Sequence, residues 1–245
     1  MKTLVIIPSR LSATRLPGKP LLKINGLSII SHVFKKAVDA NIGEVFVATE
    51  DQEIIDDVKN NGGQAVLTSK DHKTGTDRIY EALNKIGKSD IELVMNLQGD
   101  EPLMNLDDIR NLHNQMILSK SKLGTSASNI SDKSLYSDPN TVKVFTKESL
   151  RISTFPEAQS FNRILNNKKK NVYHHLGIYC YQLETLKKFV SLNQSQNEIK
   201  NKLEQLRALD NNIAINVSFA KDSPIGLDTE KDFVAIKKIM EYKSK

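Results

Sequence analysis

Ser9-Arg10-Leu11-Ser12-Ala13-Thr14-Arg15-Leu16-Pro17-Gly18-Lys19-Pro20 follows directly on the apolar run Leu4-Val5-Ile6-Ile7-Pro8. A buried strand that empties into a loop carrying two arginines, a lysine, a glycine and hydroxyl side chains sets fixed cations and backbone N–H groups where a polyphosphate can lie. The Gly-x4-Gly-Lys-Ser/Thr spacing of the common phosphate loop is missing, and the helix that would receive the phosphates begins only near Ser28. Two readings stand, a nucleoside-triphosphate loop and a basic surface loop. The prolines around Gly18-Lys19 favour the first, because they fix the path of the lysine with little entropy left to lose.

Gln98-Gly99-Asp100-Glu101-Pro102 comes at the end of the apolar run Leu93-Val94-Met95-Asn96-Leu97. An aspartate there, beside a glycine that permits close approach, suits a hard cation shared with phosphate oxygens; the same residues also read as a plain turn. Gly226-Leu227-Asp228-Thr229 offers a second acid that is equally a helix start. Together Asp100 and Asp228 suggest a magnesium-nucleotide site. Thr74-Gly75-Thr76-Asp77-Arg78 joins a helix N-terminus, two hydroxyls and a guanidinium, suited to a base edge or a ribose, or simply to capping. His174-His175 is a poor metal pair because neighbours on a strand face opposite ways; one histidine in a pocket beside Tyr179 is the better functional reading. Glu204-Gln205-Leu206-Arg207 supplies either sugar-binding polar groups or a solvated helix face.

The elements that must position these residues alternate. Leu4–Ile7, Val45–Ala48 and Leu93–Leu97 are continuous apolar runs of the kind found in strands buried on both faces. Between them, Ile29 to Val38, Ile54 to Val58 and Ile79 to Ile86 place apolar residues three and four apart. The first hundred residues therefore predict a doubly wound, mostly parallel α/β sheet whose ligand crevice lies beyond the carboxyl ends of its strands. After Asp100 the pattern loosens. It predicts a helix over 106–118, strands near Leu123–Ala127, Val142–Phe145 and Leu176–Tyr181, and a mobile insertion over 150–173. A polar helix over 198–209, a strand over Ile213–Val217 and a last amphipathic helix over 229–242 complete the chain. One domain over 1–245 is the economical organisation, with halves at 1–102 and 103–245.

The net charge of +6 comes from 35 basic and 29 acidic residues that are interspersed, with only Lys168-Lys169-Lys170 as a tight run. That pattern argues against nucleic acid as a partner. A lone cysteine, Cys180, excludes an internal disulfide and reads as a reduced core thiol, which indicates the cytoplasm. No apolar stretch reaches the ~18 residues needed to span a bilayer, and Met1-Lys2-Thr3 leads straight into a strand instead of a signal peptide.

Six motifs in order, Arg15–Pro20, Thr74–Arg78, Gln98–Pro102, His175–Tyr179, Leu203–Arg207 and Gly226–Thr229, resemble those of the 3-deoxy-manno-octulosonate (Kdo) cytidylyltransferases, over Leu4 to about Lys238. The resemblance implies a nucleotide-diphospho-sugar transferase-like (Rossmann-like) fold with a smaller mixed-sheet insertion. It also implies a cytosolic, magnesium-dependent homodimer that joins CTP to the sugar acid and releases pyrophosphate for lipopolysaccharide assembly. By the same resemblance 1–102 is the nucleotide half and 103–245 the sugar-acid and dimerisation half. Arg10, Arg15 and Lys19 would hold the triphosphate, with Lys19, Arg15 and Asp100 central to catalysis, and Asp100 and Asp228 would hold Mg2+. Ser9, Thr76, Asp77 and Arg78 would lie near the nucleoside and sugar, with the backbone around Ser9 to Leu11 reading cytosine. Gln98, His175, Tyr179, Glu204 and Gln205 would line the sugar-acid pocket.

The sequence departs from the family pattern at Ile152, where an arginine is expected, and at Asn201, where a second glutamate is usual. Cys180 replaces a common glycine, and Leu227-Asp228-Thr229-Glu230 replaces Val-Asp-Thr-Pro. These changes leave the nucleotide motifs intact and bear on the identity of the sugar acid, with 8-amino-Kdo or a nonulosonate as the alternatives and a non-catalytic nucleotide-binding module as the rival from another class. Arg151, one residue before Ile152, reads either as the replacement for the missing guanidinium in substrate binding, with the insertion closing over the sugar acid, or as a solvated arginine.

Overall fold

In the computed structural model, residues 1–12, 15–130, 132–165 and 170–243 are described; Ala13 and Thr14 of the first loop and Lys168 and Lys169 of the basic run lie outside them. The chain divides into two compact units. One comprises Lys2–Ile91, Met95–Leu106 and Pro224–Lys245, and the other Met1, Glu92–Val94 and Asp107–Ser223.

Leu4, Val5, Ile6 and Ile7 expose no surface, as a strand covered on both faces requires. They belong to β1 (Thr3–Ser9), which leads through a loop to α1 (Ile29–Asp39), β2 (Glu44–Thr49), α2 (Gln52–Asn60), β3 (Ala65–Leu67), α3 (Gly75–Ile86) and β4 (Leu93–Asn96). The strand order is β4-β1-β2-β3, and β2 runs parallel to both β1 and β3. α1 starts where the Ser28 hydroxyl accepts the Ser31 N–H, and it buries Ile29, Ile30, Val33, Phe34 and Ala37 against the sheet side. α3 opens with a capping box: Thr74 Oγ1 accepts the Asp77 N–H while the Asp77 carboxylate accepts the Thr74 N–H. The C-terminal helix, Glu230–Lys243, groups with this unit and not with the half beginning at 103, because Leu227 and Ile236 are fully buried against Ile24 and Ile29.

The second unit is built on a mixed sheet. Its longest strand, Val172–Gln182, pairs antiparallel with Leu123–Ser128 and with Lys143–Thr146. Asn216–Phe219 runs parallel to Leu123–Ser128. Three expectations change here. The segment 150–173 is not simply a mobile insertion: it contains the strand Ala158–Asn162, paired antiparallel with Lys143–Thr146, and Glu157 bridges to Asn216. Its Asn- and Lys-rich sequence hides a strand that is specified by its partner and not by its own periodicity. The polar helix over 198–209 is two short helices, Gln196–Asn201 and Leu206–Asp210, broken where Lys202 turns left-handed at φ 53°. Its charged residues Glu198 and Arg207 are buried and paired to each other, Nε to Oε2 at 2.8 Å and Nη2 to Oε1 at 2.6 Å. The strand expected over Ile213–Val217 lies at Asn216–Phe219, because Ile213 and Ile215 are buried outside the ladder. Cys180 is a buried free thiol, and burial pushes its pKa up. Among the described residues no helix is long and apolar enough to cross a membrane.

Candidate active site

The first loop is pinned at both ends by backbone bonds. Gly18 sits at φ 71°, a conformation that favours glycine, and its N–H donates to the Leu11 carbonyl at 3.1 Å. The Leu11 N–H in turn donates to Asp51 Oδ2 at 2.7 Å. Asp51 stands at the N-cap position of α2, yet its carboxylate serves the loop, a role invisible in sequence because the two residues meet only through the sheet. Both backbone groups of Leu11 are thereby engaged.

Lys19 leaves this loop on a 3-10 turn, Lys19–Leu21, and its Nζ donates to Asp100 Oδ2 at 2.5 Å, to the Leu227 carbonyl at 2.7 Å and to Asp228 Oδ1 at 3.4 Å. Arg15 Nη2 reaches Asp228 Oδ2 at 3.0 Å. The Leu227 N–H donates to the Asp100 carbonyl at 2.9 Å, which ties the two acidic segments together. Gly99 makes the approach possible, since a Cβ there would stand 2.9 Å from the Pro8 carbonyl. Next to Asp100 in sequence, Glu101 Oε2 is buried and has no hydrogen-bond partner among the described residues. Burial, then the charges of Asp100 and Asp228, push the Glu101 carboxyl up to about 8 against the pull of Lys19.

These groups face a cleft of about 330 Å³. Ser9, Arg10, Arg15, Lys19, Gln98, Asp100 and Asp228 all line it, so most of the predicted nucleotide and metal residues come together. The Thr74–Arg78 motif is used differently from the expectation. Thr76 is buried and Asp77 is occupied in the capping box, and neither lines the cleft. Arg78 does border it, but its guanidinium is committed to Glu50, to Thr68 Oγ1 at 2.6 Å and to the Ser69 carbonyl. The lining is completed instead by His72, Lys73, Thr74 and Gly75.

In the other unit, His175 is buried with Nε2 3.0 Å from Thr125 Oγ1, and its ring lies 5.5 Å from that of Tyr179 and edge-on to Phe161. Burial, reinforced by His174, lowers the pKa of His175 to about 3, so the ring is neutral. His174 takes a separate partner, Ser223 Oγ at 2.9 Å, and the two histidines do not converge on one ion. Gln205 is buried at the start of Leu206–Asp210, with Glu204 half-buried before it. Arg151 is exposed in a turn, its N–H donating to Ser149 Oγ, and Ile152 beside it is 86% exposed.

The profile of the cytidylyltransferase family matches residues 4–217. The chain belongs to the cytidylyltransferase family. A 3-deoxy-manno-octulosonate cytidylyltransferase of Afipia carboxidovorans is 40% identical to this cytidylyltransferase over 244 residues, 97% of this chain and 96% of the relative. One from Thermodesulfovibrio yellowstonii is 39% identical, covering 98% of both chains. The solved structure of a CMP:2-keto-3-deoxy-manno-octonic acid synthetase complexed with CTP superposes with a TM-score of 0.89 at 32% identity, over 99% of this chain and 100% of that one. A UDP-glucose pyrophosphorylase, at 14% identity and a TM-score of 0.74 over the whole of both chains, shares the α/β fold alone.

Proposed function

We propose that this nucleotidyltransferase transfers CMP from CTP to the anomeric hydroxyl of Kdo, giving CMP-Kdo and pyrophosphate for lipopolysaccharide biosynthesis. The observation that carries the reading is Lys19 drawn by Asp100 and Asp228 to the floor of a cation-lined cleft, in a chain alike over nearly its full length to Kdo cytidylyltransferases. Arg10, Arg15 and Lys19 bind the triphosphate, and Lys19 steadies the charge that develops as pyrophosphate leaves. The sugar hydroxyl attacks the α-phosphorus in line with the departing group, so catalysis is positioning and charge neutralisation, with no covalent enzyme intermediate. Ser9 faces the nucleoside, and Gln98, His175, Tyr179, Glu204, Gln205 and Arg151 serve the sugar acid. Thr76, Asp77 and Arg78 act by shaping the start of α3, which fits their internal partners.

Asp100 and Asp228 fit Mg2+: both are hard oxygen donors, and both already reach toward one cation, the Lys19 ammonium. When bound, the ion would supply Lewis-acid neutralisation of the phosphate oxygens. A cytoplasmic homodimer is the form this reading carries with it, and size-exclusion chromatography with light scattering tests the dimer.

The exposed Arg151-Ile152 pair, where the family pattern has an arginine at the second position, favours a second reading in which the acceptor is a related sugar acid such as 8-amino-Kdo. Pyrophosphate release from purified protein with Mg2+, each of four nucleoside triphosphates and a panel of sugar acids tests both. Turnover with CTP and Kdo above all other pairs is the expected result. A preference for another acid replaces the acceptor, and no pyrophosphate from any pair defeats the enzyme reading.

A further inference from the structure

His72 enters the cleft lining from the segment before α3, and its ring is held from behind. Its Nε2 is paired with Glu81 Oε2, and Glu81 also accepts the Ser69 N–H at 2.9 Å and binds Lys85 Nζ at 2.7 Å. Burial pushes the Glu81 carboxyl up, but Lys85, the Ser69 N–H and His72 outweigh it and hold the group at about 2. Glu81 accepts from Ser69, Lys85 and His72, which makes Nε2 the proton-bearing nitrogen of this contact. In the neutral imidazole Nδ1 is then the acceptor. Among the described residues, Nδ1 has no hydrogen-bond partner.

Cations crowd this cleft. Arg10, Arg15, Lys19, Lys73 and Arg78 carry donors only, and the carboxylates of Asp100 and Asp228 are taken by Lys19 and Arg15. The phosphates of a nucleotide present acceptors and match the cations. The donors of a cytidine nucleotide are on its other end, the ribose hydroxyls and the exocyclic amine. His72 Nδ1 is one acceptor that the cleft can offer to that end.

We propose that His72 is a nucleotide-binding residue whose Nδ1 accepts a hydrogen bond from a donor of the nucleoside, with Glu81 as the positioning residue that fixes the tautomer. The inference rests on the CTP reading of this cleft. It names the donor chemistry, which a ribose hydroxyl and the cytosine amine share.

Calorimetric titration of CTP, UTP, 2′-deoxy-CTP and 3′-deoxy-CTP into wild type, His72→Phe, His72→Asn and Glu81→Gln tests it, alongside pyrophosphate release with Kdo. His72→Phe should weaken CTP about two- to tenfold, the worth of one neutral hydrogen bond. His72→Asn, whose amide oxygen reaches the place of Nδ1, should recover most of that loss. One analogue should bind wild type and His72→Phe equally: a deoxy-CTP when the donor is a ribose hydroxyl, UTP when it is the amine. Glu81→Gln should reproduce part of the loss for CTP and none for that analogue. A purely structural histidine would instead weaken all four nucleotides by one factor, and that outcome overturns the proposal, as does His72→Phe binding CTP like wild type. Wild-type turnover in either case leaves the cytidylyltransferase reading standing, whereas a wild type that binds none of the nucleotides removes both.

Discussion

Lys19 Nζ stands 2.5 Å from Asp100 Oδ2 and 3.4 Å from Asp228 Oδ1, so one ammonium joins two carboxylates that would otherwise repel. Side chains so arranged need little reorganisation to receive an anionic nucleotide, and the same lysine is aimed where charge grows in the transition state. Lys19→Ala should therefore lower kcat by roughly two orders of magnitude or more while moving the CTP KM much less. Steady-state kinetics decide it: a change confined to KM would make Lys19 a ground-state binding residue.

Asp228 is bound to both Lys19 and Arg15 and is the partner of Asp100 in the proposed metal site. Asp228→Asn keeps the shape and removes the charge. Turnover should nearly vanish, and Mn2+ titration followed by electron paramagnetic resonance should show weaker binding in the presence of CTP. Near-normal rates at saturating Mg2+ would take this residue out of the site.

Arg78 and Glu50 form a buried pair whose side chains are 5% and 12% exposed. Removing one partner strands the other charge away from water, which typically costs about 3–5 kcal/mol. Arg78→Ala should thus reduce stability by that order in urea unfolding, with Glu50→Gln Arg78→Met recovering a large part. Equal stability of Arg78→Ala and wild type would show that the pair contributes nothing net.

His175 sets a pH dependence. Its pKa in the folded protein is about 3, lowered by burial and by His174, against about 6.5 for an unperturbed histidine. Between these values the unfolded chain binds a proton that the folded ring refuses. Stability from this group is complete above about pH 6.5 and falls as pH drops toward 3, by at most about 1.4 kcal/mol per pH unit. Unfolding free energies measured from pH 7.5 to 5 should decline more steeply in wild type than in His175→Gln, and matching slopes would contradict this.

Asp100 was legible as the acid that ends an apolar run, Lys19 as the lysine of the loop after another such run, and Asp228 as the acid of a glycine turn before a helix. Ser28 and Thr74 were legible as helix starts for a similarly local reason, the hydroxyl that accepts the N–H three residues on. Asp51, Glu50 and Glu81 were not. Their partners, Leu11, Arg78 and His72, sit 9 to 40 residues away and are chosen by the packing of separate elements. Glu198 and Arg207 mislead in the same way, since a nine-residue spacing on one helix would place them apart, and only the left-handed turn at Lys202 folds one back on the other. Ala158–Asn162 was missed because its neighbours on the ladder, and not its own alternation, make it a strand.

The grouping of Pro224–Lys245 with the first unit brings a later-made segment to an earlier-made cleft. A ribosome making this chain delivers the phosphate loop and Asp100 first, yet the Leu227 carbonyl on Lys19, the Asp228 carboxylate on Arg15 and the apolar cover over Ile24 and Ile29 arrive only with Pro224–Lys245. Until then the nascent polypeptide holds a cluster of positive charge with half its neutralising acids absent. A chain stopped before residue 227 would keep most of its strands yet lack the Leu227 carbonyl and the Asp228 carboxylate that meet Lys19.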